Sequence, residues 1–100
     1  MIKLTVLYGH PVDPSAFEAY YFNTHMPLVA KIHGIVKAET TKFLPGADGG
    51  KPAHYRMAEL YFTSPEELQK AMSSPEGAAT SADLANFASG GLTILVGAVD

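Results

Sequence analysis

Chemistry in this chain is concentrated in one stretch, Tyr20-Tyr21-Phe22-Asn23-Thr24-His25-Met26-Pro27-Leu28. It sets an imidazole two residues before a proline and beside two tyrosines, in an otherwise apolar amphipathic segment. An imidazole with an ordinary pKa of about 6.5 can take and return a proton at neutral pH without a cofactor. His25 is therefore the candidate general base. The plainer reading is a half-buried structural histidine hydrogen-bonded to a loop carbonyl. Tyr21 lies one helical turn before His25, so the two share a face. Its phenol would hold a substrate carbonyl or orient the imidazole, unless Tyr21 is a core aromatic with its hydroxyl at the surface. Tyr20 reads as core and Asn23 as a helix cap.

Other residues are secondary candidates. Tyr8, Tyr55 and Tyr61 could line a pocket for a flat apolar ligand, or pack in a dimer interface. Glu59 shares a strand face with Tyr55 and Tyr61. Poor solvation there would raise its pKa and make it a second acid or base. A salt bridge to Lys37 or Arg56 is the structural alternative. His10, His33 and His54 fall in loops or at element ends, and no His-x-His or His-x-x-x-His spacing suggests a metal site. Residues 46–50 are glycine-rich but lie between two strands, away from the helix N-terminus that phosphate binding needs. No metal and no cofactor are expected.

The elements that position these residues follow from periodicity. Residues 2–9 alternate, with Ile2, Leu4, Val6 and Tyr8 on one face, and Leu7 makes the other face partly apolar. Asp13-Pro14 gives an N-cap followed by proline at the first helical position. Phe17, Tyr20, Tyr21, Thr24 or His25, Leu28 and Ile32 then draw a helical stripe. Pro27 lacks an N–H and would clash with the Asn23 carbonyl, so a broken or kinked helix is expected, with the interruption at residues 22–24. Asn23 or Thr24 would then cap a second helix, with His25 near its N-terminus, a setting that favours neutral imidazole. Gly34 would end that helix. Strands are expected at residues 35–44, 55–63 and 92–99, the first two forming a hairpin around the loop at 45–52. Ser64-Pro65 and Ser74-Pro75 each open a further helical piece, and Gly90-Gly91 closes the second.

This β-α-β-β-α-β order is the ferredoxin-like α+β arrangement, with helices on one face of a four-stranded antiparallel sheet. The other face would carry Tyr55, Met57, Glu59 and Tyr61, too apolar for a free surface. A homodimer packed through that sheet face resolves the difficulty. The 100 residues suit one domain spanning 1–100. Hydrophobic residues make up 47% and charged residues 17%. A net charge of −3 without a basic cluster argues against nucleic-acid binding. The absence of cysteine rules out disulfides and thiolate chemistry. No apolar run reaches the roughly 20 residues of a membrane span, and a cytoplasmic protein is expected.

Three segments together resemble the EthD-like family: the opening Met1-Ile2-Lys3-Leu4-Thr5-Val6-Leu7-Tyr8, the Tyr20-Tyr21 run with His25-x-Pro27-Leu28, and Glu59-Leu60-Tyr61-Phe62-Thr63-Ser64. The similarity spans nearly the whole chain. It implies a dimeric α/β barrel with a hydrophobic pocket in each subunit. The wider barrel superfamily includes lactone isomerases, polyketide cyclases, cofactor-free monooxygenases, decarboxylases and haem enzymes, so fold is implied more narrowly than function. Two functions are consistent with this. One is a cofactor-independent isomerase, decarboxylase, dehydratase or cyclase acting on a lactone, enol or aromatic catabolite, with His25 as base and Tyr21 beside it. The other is a non-catalytic protein that binds a small hydrophobic intermediate.

Overall fold

A computed structural model describes all 100 residues. The elements run β1 (Ile2–Tyr8), α1 (Pro14–Tyr20), a π-helical segment (Tyr21–His25), α2 (Met26–Val29), β2 (Lys37–Lys42), β3 (Arg56–Phe62), α3 (Pro65–Ser73), α4 (Pro75–Asp83), a 3₁₀ turn (Leu84–Asn86) and β4 (Leu92–Ala98). The strands form one antiparallel sheet in the order β2-β3-β1-β4, the expected ferredoxin-like topology. Register follows the alternation, with Leu4 opposite Leu60 and Val6 opposite Ala58.

The helix starts obey their caps. Asp13, Ser64 and Ser74 each accept a backbone N–H from three residues ahead, with proline at the first helical position in every case. Inward residues of β1 and β3 meet the helices in two core clusters. One gathers Val6, Tyr8, Phe17, Tyr21, Tyr55, Ala58 and Phe87. The other gathers Leu4, Val29, Ile32, Leu60, Phe62 and Ala71. Met26 packs against both and joins them. A large apolar side chain as buried as Phe62 contributes about 1.5–3 kcal/mol.

At Pro27 the helix is interrupted over the expected residues, but not by a break: it widens into the π segment Tyr21–His25. The Met26 N–H bonds the Tyr21 carbonyl five residues back, and neither Asn23 nor Thr24 acts as a cap. Widening to five-residue hydrogen bonds relieves the proline problem as well as a break would. His25 therefore sits inside a continuous helical path and not at a helix N-terminus, so the expected preference for neutral imidazole has no basis there. Beyond α2 the chain leaves through two tight turns and Gly34, whose φ of 97° is open to glycine at little cost.

Two further boundaries differ. β2 is limited to Lys37–Lys42, shorter than the periodicity predicts, and is exposed along its whole length. Tyr55 precedes β3 and turns into the helix-side core, edge-on to Phe17 at 5.2 Å. Arg56 is buried on the same side, where it bonds Glu18, so strict alternation fails at the start of the strand.

The open sheet face carries Lys3, Glu59, Tyr61, Glu39, Lys37 and Leu95. Lys3 bonds Glu59 at 2.8 Å, and the Tyr61 hydroxyl donates to Glu39 at 3.1 Å. On the helix side, the edge strand β4 leaves Leu92, Ile94 and Val96 between 37% and 60% exposed. No helix is long and apolar enough to cross a membrane.

Candidate active site: a histidine–carboxylate pair beside an apolar cavity

The π segment turns both Tyr21 and His25 inward, leaving them 0% and 3% exposed. Their rings stack at 5.9 Å with 19° between planes, and Phe87 closes on the imidazole at 4.6 Å. His25 Nδ1 lies 2.9 Å from Oδ2 of Asp83, the last residue of α4. The other carboxylate oxygen, Oδ1, accepts the Tyr20 hydroxyl at 2.5 Å and the Asn86 amide at 2.9 Å. The 3₁₀ turn after α4 brings Asn86 back over Asp83.

Burial works to push the Asp83 carboxyl upward. Hydrogen bonds from Tyr20, Asn86 and His25, with the attraction of the imidazole, outweigh it and hold Asp83 below its ordinary value. Asp83 is thus a carboxylate that can only accept, and Nδ1 must carry a hydrogen. In the neutral ring the lone pair is then on Nε2, which makes no hydrogen bond within the chain.

His25 lines an inner cavity of about 50 Å³ together with Val6, Tyr8, Tyr21, Met72 and Ile94. Its walls are mostly apolar, and the space is far below the ~300 Å³ of an ordinary ligand pocket. A wider surface groove of about 300 Å³ is bordered by Pro11, Asp13, Tyr20 and Asn86, the last two of which bond Asp83. Asp83 therefore faces His25 on one side and residues of the outer groove on the other.

Of the residues singled out in the sequence, His25, Tyr21 and Tyr8 come together at the inner cavity. The Tyr21 hydroxyl is buried without a partner, and its pKa is pushed up to about 12 by burial against the opposing charge of Arg56. Burial likewise raises Tyr8. Tyr55 belongs to the same core cluster but does not line the cavity, and its hydroxyl also lacks a partner. Tyr61 and Glu59 stand on the opposite face of the sheet, with Glu59 paired to Lys3 and not to Lys37 or Arg56. His10 Nε2 meets the Pro52 carbonyl oxygen at 2.6 Å. No group of three or more His, Asp or Glu side chains is placed to hold a metal ion.

Asp83 and Asn86 are site residues that no sequence motif marks, and Tyr20, expected in the core, instead bonds Asp83. The available signal was a lone acid in the small apolar run Ala78-Ala79-Thr80-Ser81-Ala82-Asp83-Leu84-Ala85, three residues before an asparagine.

The EthD domain model matches residues 9–91. This chain belongs to the EthD family. The chain is also similar to an uncharacterized 11.0 kDa protein of the thcB–thcC intergenic region of Rhodococcus erythropolis, 44% identical over 95 residues, or 95% of this chain and 91% of that one. An EthD family protein from Bacillus halodurans has a crystal structure that superposes with a TM-score of 0.92 at 40% identity, covering 100% of this chain and 99% of that one. At 17% identity and a TM-score of 0.68, a dimeric protein of unknown function from Bacteroides fragilis shares the ferredoxin-like fold, covering 98% of this chain and 95% of that one.

Proposed function

We propose that this EthD protein is a cofactor-independent enzyme in which His25 moves a proton on a small, mostly apolar lactone, enol or aromatic compound. The observation that carries this reading is the buried Asp83–His25 pair with Nε2 unengaged beside an apolar cavity. Asp83 fixes the Nδ1–H tautomer and stabilises the imidazolium formed when Nε2 takes a proton. A dry apolar surround strengthens both contacts. Tyr21 holds the imidazole plane by stacking; its hydroxyl is enclosed and ill placed to polarise a substrate. Tyr8 and Tyr21 contribute ring surface to the cavity.

The cavity must open to admit a ring. Met26 and Met72 on its wall are pliable, and Ile94 stands half exposed at the β4 edge. Entry beside β4 fits that arrangement. A homodimer through the open sheet face would cover Leu95, Tyr61 and the Lys3–Glu59 pair, which gives Tyr61 and Glu59 an interface role in place of substrate contact. A cytoplasmic location is part of the proposal.

The apolar lining of the cavity also supports a second reading, a carrier that encloses a hydrophobic intermediate without converting it. Turnover separates the two. Compounds found by thermal shift are incubated with the protein, and products are sought by mass spectrometry; a ligand returned unchanged identifies a carrier.

A further inference from the structure

Asp83 is held by more than His25 requires. A carboxylate at the end of a helix, bonded only through Oδ2, could rotate about its last torsion and offer the imidazole either oxygen or neither. Here Oδ1 is taken by two donors from different elements, the Tyr20 hydroxyl at the end of α1 and the Asn86 amide on the 3₁₀ turn. The two converge on one atom and fix the carboxylate plane, which leaves Oδ2 aimed at His25 Nδ1. Neither donor touches the inner cavity. Both line the outer groove.

We infer that Tyr20 and Asn86 are positioning residues that act through Asp83 to keep His25 in the Nδ1–H tautomer, with Nε2 open as the base. This inference rests on the proton-transfer reading of His25 and adds the device that keeps the base in its competent form. An imidazole whose Nδ1 lacks an acceptor carries its neutral-form proton mainly on Nε2, where it can donate but not accept. The other titratable groups that line the cavity with the ring are the Tyr8 and Tyr21 phenols. Burial raises both, so they stay neutral and do not substitute for the carboxylate. Loss of the clamp therefore silences the base without removing any group that meets substrate.

The test needs no substrate. The full chain is labelled with ¹⁵N-histidine, and long-range ¹H–¹⁵N spectra are recorded above the titration range of the imidazole. Wild type is expected to show His25 with a protonated Nδ1 and a lone pair on Nε2. In Tyr20→Phe/Asn86→Ala the Nε2–H form becomes the majority species. Tyr20→Phe alone keeps the ring stacked on Phe87 and shifts the balance in the same direction by less, which guards against a double variant that fails to fold. A folded Tyr20→Phe protein with the wild-type tautomer would overturn the clamp while leaving the base reading intact. Wild type already in the Nε2–H form would remove the Asp83 contact and the clamp together. Full turnover by His25→Ala would defeat the base reading alone, because the tautomer measurement does not depend on turnover.

Discussion

His25 and Asp83 are fifty-eight positions apart in the chain, yet Nδ1 and Oδ2 meet at 2.9 Å inside the fold. The contact joins the π segment to the end of α4, so the packing of the first helical stretch against the last one sets the state of the candidate base. That state is also a stability term with a defined pH window.

Asp83 has a lowered folded-state pKa, because the donors around it favour the charged form. Its stabilisation is therefore fully present above the ordinary value of 3.8 and is lost as pH falls through the lower folded-state value. Asp83→Asn should unfold at lower urea concentration than wild type near neutrality, and the gap should close in acid. A gap that stays constant over that range would mean Asp83 contributes no charge-dependent stability.

Arg56 is buried between the rings of Tyr21 and Phe22, 5.4 and 5.1 Å from their centroids, and forks onto Glu18 at 2.6 and 3.2 Å. Removing the carboxylate leaves a buried cation without its partner. Glu18 is partly exposed, which moderates the loss. Glu18→Ala is expected to cost roughly 3 kcal/mol in urea unfolding. A loss within error of zero would show that water replaces the pair.

The sequence made the topology legible because alternation in β1 and β3 and three cap-proline pairs are local signals. The path through Pro27 was not legible in the same way. A helix break and a π segment both answer the missing N–H, and only packing of Tyr21 and His25 against Phe87 selects the latter. Tyr55 was misplaced because alternation fails where β3 begins. Asp83 escaped notice because its partners, apart from Asn86, lie 58 and 63 positions away. No spacing rule reaches that far.

Gly77 lets α4 approach α3. A Cβ there would fall 2.2 Å from the Ala71 carbonyl oxygen and 2.8 Å from the Met72 Cα, both backbone atoms. Gly77→Ala must displace α4, and with it Asp83. Overpacking of this kind costs about 1–3 kcal/mol. Thermal unfolding checks the size, and an unchanged midpoint would show that α3 and α4 separate freely.

Leu95 is 52% exposed on the open sheet face, where the proposed dimer would cover it. Leu95→Glu places a charge in that contact. Sedimentation at micromolar concentration should find wild type dimeric and the variant shifted to monomer. A monomeric wild type would leave the open face without its proposed cover.

The central claim is that His25 is a base. Wild type and His25→Ala are screened by thermal shift against lactones, enols, quinones and small phenols, and each stabilising compound is followed by mass spectrometry. The account predicts a compound that stabilises both proteins and is converted only by wild type. Equal conversion by a folded His25→Ala protein, or unchanged return of every bound compound by wild type, would contradict it.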